Sequence, residues 1–288
     1  MDFELKSNID ALLKAALEED IASQDITSLS CLPDAGTFEA HIVAKENLRL
    51  AGISFMGSAF TSLDPDVQIT PHFLDGSFCP TGSILASIWG PARAILSAER
   101  TALNLLQHMS GIATITSEYV QEIAGFQCDI LDTRKTLPRF RALQKYAVRV
   151  GGGKNHRFSL HDAILIKNNH LKVLSETTTH PVRRAILNCR KAHPGKKIEI
   201  EVESLEQMEE ALMEKADWIL LDNMTVALMA DAVKLNNNAA YLEASGGMNK
   251  SRVRFVAETG VNGISVGALT HSVRAVDISL RVKSCKRT

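Results

Sequence analysis

From residue 128 to the end of the chain, short apolar runs alternate with amphipathic helical stretches. This alternation constrains the fold more than any other feature of the sequence. The apolar runs are CDILDT, DAILIKNNH, KIEIEVE, DWILLDN, AYLEAS and GISVGAL. Helical spacing of apolar residues lies between several of them, at 204–215, 225–235 and 250–259. Strands that alternate with helices predict parallel strands joined by crossover helices.

Six or seven such units could close into a (β/α) barrel or form an open doubly wound sheet, and two features favour the barrel. No G-x-G-x-x-G motif follows the first apolar run, so a dinucleotide-binding fold lacks support. Polar residues also recur at the carboxyl ends of the runs, where the catalytic groups of barrels collect. They are Asp132, Lys167, Asp222, Ser245 and Gly267.

The first hundred residues follow a different pattern. Residues 8–19 carry apolar side chains at helical spacing, and the segments 38–52 and 82–92 are typical of antiparallel strands between Pro/Gly turns. A long helical stretch then covers 94–125, with Gly111 as the expected break or hinge. We expect this stretch to connect two domains.

Positive charge is concentrated in one stretch, 132–157, of a chain whose formal net charge is −1. Its cations are Arg134, Lys135, Arg139, Arg141, Lys145, Arg149, Lys154 and Arg157. We expect Arg141, Lys145 and Arg149 to be solvated on a helix. Arg134, Lys135 and Arg157 occupy loop positions, beside Gly151–Gly153, where a ligand can reach them. Arginine binds carboxylates and phosphates bidentately, and lysine binds them as a point charge.

Other hypotheses also fit these cationic residues. The stretch 132–157 could be a basic surface or an RNA-binding patch, although the near-neutral chain disfavours the latter. Lys167, at a predicted strand end with His170 close behind it, could be a Schiff-base nucleophile, but the neighbouring cations favour anion binding.

Acidic residues alternate along the segment KIEIEVE. Glu199, Glu201 and Glu203 are predicted to share one strand face. A parallel strand is normally apolar on both faces, so these carboxylates need either a divalent cation or facing lysines and arginines. Glu201 and Asp222 are the best placed metal ligands, because one or two carboxylates suffice for Mg²⁺ that also carries phosphates.

Glycines follow the last two predicted strands. Ser245, Gly246 and Gly247 precede a helix near residue 250, and Gly267 precedes a shorter one. Amide groups exposed before a helix bind phosphate, and in barrels the final two loops commonly do so. Together with the cations and carboxylates, this pattern fits a Mg²⁺-bound phosphorylated sugar and a second anionic substrate.

Neither a signal peptide nor a membrane-spanning run is recognised in the sequence, and the five cysteines form no CxxC pair. We therefore expect a cytoplasmic protein without a zinc site or a disulfide framework.

Eight motifs carry a family resemblance: SAERTALNLLQHMSGIAT, DTRKTLP, KYAVRVGGGKNHR, ILIKNNH, IEVE, LLDN, EASGGM and ISVGALTHS. Together they closely resemble the quinolinate phosphoribosyltransferase family, over nearly the whole chain. The resemblance implies a type II phosphoribosyltransferase-like α/β fold, with an N-terminal α/β sandwich domain at 1–112 and an incomplete (β/α) barrel at 113–271. The segment 272–288 is expected to pack on the first domain.

The resemblance also implies the activity. Family members transfer phosphoribosyl from 5-phosphoribosyl 1-pyrophosphate (PRPP) to quinolinate with Mg²⁺ and no organic cofactor. The products are nicotinate mononucleotide, pyrophosphate and CO2, in de novo NAD biosynthesis. Members form homodimers in which one subunit covers the barrel of the other, and no nucleic acid or membrane takes part.

Residue roles follow from the motifs. The resemblance implies that Arg100 reaches the site of the neighbouring subunit and holds a quinolinate carboxylate. The other expected substrate ligands are Thr133, Arg134, Lys135, His156, Arg157, Lys167, Glu201, Asp222, Ser245, Gly246, Gly247, Gly267 and Ala268. Lys135, Lys167, Glu201 and Asp222 are expected to be catalytic, with Glu201 and Asp222 also at the metal.

One position departs from the family pattern, because Arg139 stands where members usually have glycine. The competing functions are a paralogous pyrophosphorylase acting on another base, a nicotinate or nicotinamide phosphoribosyltransferase, and a Schiff-base aldolase. The NHR and KNNH motifs favour the dicarboxylate over another base.

Overall fold

A computed structural model describes residues 3–32 and 36–286, with side chains for 6–32 and 36–283. The chain divides into two compact units. The first is formed within residues 1–117, 136–152 and 272–288, and the second within 118–135 and 153–271. The boundary after residue 112 stays a prediction.

An antiparallel sheet organises the first unit. The helices of this unit are α1 (Phe3–Ile21), α2 (Ile26–Cys31), α3 (Ile53–Thr61), most of α4 (Ala92–Glu122), and α5 (Arg141–Val150). Its strands are β1 (Thr37–Ala44), β2 (Leu48–Arg49), β3 (Gln68–Pro71), β4 (Phe78–Cys79), β5 (Ile84–Pro91) and β12 (Ile278–Lys286). The main sheet has the order β12-β1-β5-β3, and β2 pairs with β4.

Alternation of buried and exposed residues explains this sheet. Ala40 and Ile42 on β1, and Ile88 on β5, are fully buried, whereas Trp89 is 40% exposed. One face of each strand therefore lies in the core and the other faces away from it. The predicted helix at 8–19 and the predicted antiparallel strands are confirmed as α1, β1 and β5.

A parallel sheet organises the second unit. Its strands are β6 (Asp129–Leu131), β7 (Ile164–Ile166), β8 (Ile198–Val202), β9 (Trp218–Asp222), β10 (Tyr241–Ser245) and β11 (Gly263–Ser265). Its remaining helices are α6 (Asn168–Ser175), α7 (Pro181–Ala192), α8 (Leu205–Met213), α9 (Val226–Asn236), α10 (Lys250–Glu258) and α11 (Ala268–His271). All six apolar runs singled out in the sequence form strands.

The strand order shows that the barrel is incomplete. The order is β6-β11-β10-β9-β8-β7, so β6 and β7 form opposite edges. A closed barrel would pair those two strands, and the described residues contain no such pairing. Beside β6, Lys154 instead makes an isolated parallel bridge with Leu131. The predicted fold class, an α/β chain with an antiparallel first part and an incomplete barrel, is confirmed.

Two local predictions are wrong. Helix α4 continues through Gly111 without a break. The glycine allows close packing there, since a Cβ would collide with the carbonyl oxygen of Arg274. Lys145 is not solvated, since only 2% of it is exposed and it lies on the buried face of α5. Alternating charges do not reveal which helix face is covered.

Arg139 has a left-handed backbone conformation, with φ of 66°. This conformation costs an L-residue about 1–2 kcal/mol, whereas glycine adopts it freely but loses about 0.5–1 kcal/mol through its greater unfolded freedom. We therefore expect Arg139→Gly to raise the free energy of unfolding by roughly 0.5–1 kcal/mol, as measured by urea denaturation. Arg149→Gly, on exposed helical backbone, is the control and should lower it by about 1 kcal/mol. Equal losses in both variants would contradict the strain at Arg139.

None of the helices formed by residues 3–32 and 36–286 combines the length and apolar composition needed to span a bilayer. Cys31, Cys79, Cys128 and Cys189 are free thiols, and the side chain of Cys285 lies outside the described part.

Candidate active site

A cavity of about 630 Å³ opens at the carboxyl ends of the parallel strands in the second unit. We call it the main cavity. The residues that line it are Thr133, Arg134, Lys135, His156, Arg157, Leu165, Lys167, Glu201, Leu220, Asp222, Asn223, Glu243, Ser245, Gly246, Gly247 and Ser265. Of the residues predicted from the sequence, Arg100, Gly267 and Ala268 are not among them. Arg100 is exposed on α4 in the first unit.

Two arginines give the main cavity an unbalanced positive charge. Arg157 donates from Nη1 to the carbonyl oxygen of Ala163 at 2.9 Å. The Nε atoms of Arg134 and Arg157 are both buried and have no hydrogen-bond partner among the described residues. Burial lowers the pKa of Arg157, and the like charge of Arg134 lowers it further. Two guanidinium groups that repel each other and keep unused donors are suited to an anion.

Lys135 lies against the loop that follows the last strand of the sheet. Its amide donates to Thr133 Oγ1 at 3.0 Å, and its carbonyl accepts from Thr270 Oγ1 at 2.7 Å. A Cβ on Gly267 would lie 3.2 Å from Lys135 Cδ. Gly267 therefore allows the lysine stem to pack on the loop, although the glycine does not line the main cavity.

Glu201 and Asp222 face the main cavity from neighbouring strands but differ in their partners. Glu201 Oε1 accepts from Lys167 Nζ at 3.0 Å, and Oε2 accepts from the Asn168 amide at 3.2 Å. No hydrogen bond to the Asp222 carboxylate occurs among the described residues. A Mg²⁺ ion that carries phosphates needs only one or two carboxylates, so this set fits the ion, with Asp222 as the available ligand.

One neighbouring residue, Glu203, differs from its sequence-based expectation, and His170 has a structural role. Glu203 does not share the inner strand face, because β8 ends at Val202; its carboxylate is exposed and accepts from Asn168 Nδ2 at 2.8 Å. His170 is not a cavity residue, and its Nδ1 instead accepts the Lys167 amide at 2.9 Å, which fixes the start of α6.

The loop before α10 depends on glycine. Gly246 and Gly247 have φ of 97° and 58°, in the region that favours glycine. A Cβ on Gly246 would collide with the side chain of Asn223. Arg252 also fixes the loop, because its Nη1 donates a hydrogen bond to the Gly246 carbonyl oxygen at 2.9 Å. The loop is therefore held in one conformation, in which its backbone amides can bind a group that accepts hydrogen bonds.

A buried polar cluster lies at the floor of the main cavity, where barrels usually contain branched apolar residues. His156 Nε2 lies 2.8 Å from Glu199 Oε2 and 3.3 Å from Glu243 Oε2. Ser265 donates a short hydrogen bond to Glu243. Asp132 is fully buried and accepts from the His156 amide at 2.9 Å, which fixes the loop.

The imidazole and the buried carboxylates shift each other's pKa. Burial raises the pKa of Glu199 to about 7, with the adjacent Glu243 adding to the rise. Burial lowers the pKa of His156, but the two carboxylates outweigh it and the net direction is upward. Nδ1 accepts the Arg157 amide at 2.8 Å, so the ring nitrogen that faces the two carboxylates is Nε2.

Five lining residues were not identified from the sequence: Leu165, Leu220, Asn223, Glu243 and Ser265. Strand alternation could have found four of them, because Leu165, Leu220, Glu243 and Ser265 lie two residues before Lys167, Asp222, Ser245 and Gly267.

Two family models match the chain. The quinolinate phosphoribosyl transferase N-terminal domain matches residues 25–110, and the C-terminal domain matches residues 112–281.

Several curated and solved proteins are similar over nearly their whole length. A probable nicotinate-nucleotide pyrophosphorylase [carboxylating] of Bacillus subtilis is 42% identical, with 94% of this chain and 92% of the relative covered. The nicotinate-nucleotide pyrophosphorylase [carboxylating] of Mycobacterium leprae is 41% identical, with 93% and 95% covered. The structure of the Francisella tularensis nicotinate-nucleotide pyrophosphorylase superimposes with a TM-score of 0.90 at 37% identity, covering 96% of this chain and 97% of that one. This chain belongs to the quinolinate phosphoribosyltransferase family.

Proposed function

We propose that this chain transfers phosphoribosyl from PRPP to quinolinate with decarboxylation, giving nicotinate mononucleotide, pyrophosphate and CO2. The observation that carries the proposal is the pair Arg134 and Arg157, which line one cavity together with carboxylates and a glycine loop. Quinolinate is a dianion, and two guanidinium groups can bind its carboxylates bidentately.

The reaction forms a bond between the pyridine nitrogen and ribose C1′ while the bond from C1′ to pyrophosphate breaks. Negative charge grows on the leaving group, and Lys135 and Lys167 are the cations proposed to stabilise it. The ring nitrogen becomes cationic and stabilises the electron pair that stays on the adjacent ring carbon when its carboxylate leaves as CO2. That carbon then takes up a proton from water, which gives nicotinate mononucleotide.

The metal is proposed to be Mg²⁺. Asp222 and Glu201 would hold it, partly through substrate and water. When bound, the ion neutralises pyrophosphate charge. The Asp222 carboxylate supports the proposal because no described residue donates to it. Glu201 is paired with Lys167, so the ribose hydroxyls are its expected partners when that pair opens. A chelator is expected to abolish turnover.

The 5′-phosphate of PRPP is proposed to bind at Ser245, Gly246 and Gly247. Positive φ at both glycines supports this, because the turn leads directly into α10 and can present amide groups. Gly267 and Ala268 are proposed to complete the site from the next loop, where Lys135 already packs.

A homodimer in which Arg100 enters the site of the neighbouring subunit remains part of the proposal. The exposure of Arg100 supports it, since this cation is available to a second copy. Sedimentation equilibrium tests the dimer, and a monomer at micromolar concentration would contradict it. The cytoplasmic location stays a prediction.

The deciding experiment compares two bases. Purified protein, PRPP and Mg²⁺ are incubated with quinolinate or nicotinate, and nicotinate mononucleotide and CO2 are measured. We expect equal amounts of nucleotide and CO2 from quinolinate, and no product from nicotinate. Reaction with nicotinate, or with neither base, would show that the cationic cavity serves another ligand, as in a paralogous pyrophosphorylase.

A further inference from the structure

We propose that Glu199 and Glu243 are positioning residues, which hold the His156 imidazole in one orientation and thereby fix the direction of Arg157. The inference rests on the proposed function, because it assigns Arg157 to the quinolinate carboxylates. Neither glutamate was assigned a role by the sequence motifs.

His156 is restrained from both sides of its ring. On one side Nε2 faces Glu199 at 2.8 Å and Glu243 at 3.3 Å, and on the other Nδ1 accepts the Arg157 amide at 2.8 Å. The edge of the ring also contacts Trp218, with centroids 6.0 Å apart. An imidazole turned away from the glutamates would therefore lose the hydrogen bond that orients the Arg157 backbone.

The glutamates come from strands that are not neighbours. Glu199 is on β8 and Glu243 is on β10, with β9 between them. His156 thus spans the interior of the incomplete barrel, on a segment that enters beside β6. Ser265 on β11 holds the other oxygen of Glu243, so the pair is fixed by a further strand.

The electrostatics indicate a function other than substrate binding. Two carboxylates beneath a cavity for dianions weaken anion binding, and burying them costs free energy. Glu199 Oε1 also lacks a hydrogen-bond partner in the described structure. Holding the imidazole is the contribution that offsets these costs.

A second cavity shows why Arg157 needs such restraint. It measures about 420 Å³ and lies at the amino ends of β7, β8 and β9. His156 and Arg157 are the two lining residues that it shares with the main cavity. Without the restraint, the imidazole of His156 and the guanidinium group of Arg157 could therefore move into this second cavity.

The test uses Glu243→Gln, which keeps the shape of the side chain, with Glu203→Gln as the control on an exposed glutamate after β8. We expect Glu243→Gln to raise the KM for quinolinate about 10- to 100-fold, as small displacements in active sites do. The KM for PRPP should stay within about twofold of the wild-type value. The Tm should stay within about 2 °C of wild type, which shows that the fold as a whole is not destabilised. Glu203→Gln should change none of them. An unchanged quinolinate KM, or equal rises in both KM values with a lower Tm, overturns the proposal.

A double-mutant cycle shows whether Glu243 acts through His156. In a His156→Ala background, Glu243→Gln should cause no further loss, because the group that it positions is gone. A further tenfold loss would mean that Glu243 acts independently and would overturn the proposal. Glu199→Gln repeats the cycle from the other strand.

Failure of the proposed function is distinguishable from failure of this inference. If wild-type protein makes no nicotinate mononucleotide from quinolinate, the function fails. Imidazole nitrogen chemical shifts of ligand-free protein, assigned with His156→Ala, then test the positioning alone. We expect Glu243→Gln to shift both His156 nitrogens and Glu203→Gln to shift neither, and unchanged shifts in Glu243→Gln overturn the inference.

Discussion

Arg134→Ala is expected to lose activity without losing stability. Arg134 has no hydrogen-bond partner among the described residues, and its charge repels Arg157. Its removal therefore breaks no described hydrogen bond and relieves a like-charge contact. If it binds quinolinate as proposed, kcat/KM should fall by about two to three orders of magnitude, the effect of losing one charged contact worth roughly 2.7–4 kcal/mol. Steady-state kinetics and thermal unfolding measure the two quantities.

Arg184→Ala is the matched control for that variant. Arg184 is an exposed arginine on α7 of the same unit and is not a cavity residue. We expect its replacement to leave both kcat/KM and Tm unchanged. If Arg134→Ala kept wild-type activity, or lost stability and activity together, the assignment of Arg134 to the substrate would be wrong.

Gly246→Ala is expected to weaken PRPP binding and destabilise the protein at once. The added Cβ meets Asn223, a cavity residue, and the φ of 97° strains any L-residue by about 1–2 kcal/mol. Overpacking adds typically another 1–3 kcal/mol. Because Asn223 lines the main cavity and would have to shift, we expect the KM for PRPP to rise at least about tenfold, equivalent to roughly 1.4 kcal/mol.

Gly125→Ala separates strain from collision. Gly125 has a φ of 94°, but a Cβ there would have no heavy atom within 4 Å. This variant should lose only the strain energy, about 1–2 kcal/mol, and keep the wild-type KM for PRPP. Equal effects of the two substitutions would mean that the Asn223 contact is unimportant.

Strand order could not be read from local patterns, although the elements themselves could. Short apolar runs located the strands of the second unit, and 3.6-residue spacing located the helices α8, α9 and α10. The same spacing did not distinguish a closed barrel from an open one, because that depends on whether β6 and β7 meet. Burial of Lys145 and continuity of α4 at Gly111 also depend on which distant segment covers them.

The candidate site was predictable where side chains follow strand ends, and less so in the interior. Arg134, Lys167 and Asp222 face one cavity because parallel strands place their carboxyl ends at one edge. The pairing of His156 with Glu243 was not predictable, because it joins a loop to the middle of a strand 87 residues later (243 − 156). Charge alone does not show which cation finds which carboxylate.

The order of strands within each sheet also governs when the chain can fold during its synthesis. Strand β6 pairs with β11, which begins 134 residues later (263 − 129), and Ile42 of β1 pairs with Leu280, 238 residues later (280 − 42). Ribosomes release the amino-terminal end first, and such distant contacts close slowly because the loop entropy must be overcome. Neither main sheet can be completed until the last strands have left the ribosome. Apolar residues of both sheets therefore stay partly uncovered until then, which is the condition in which unpaired strand edges aggregate.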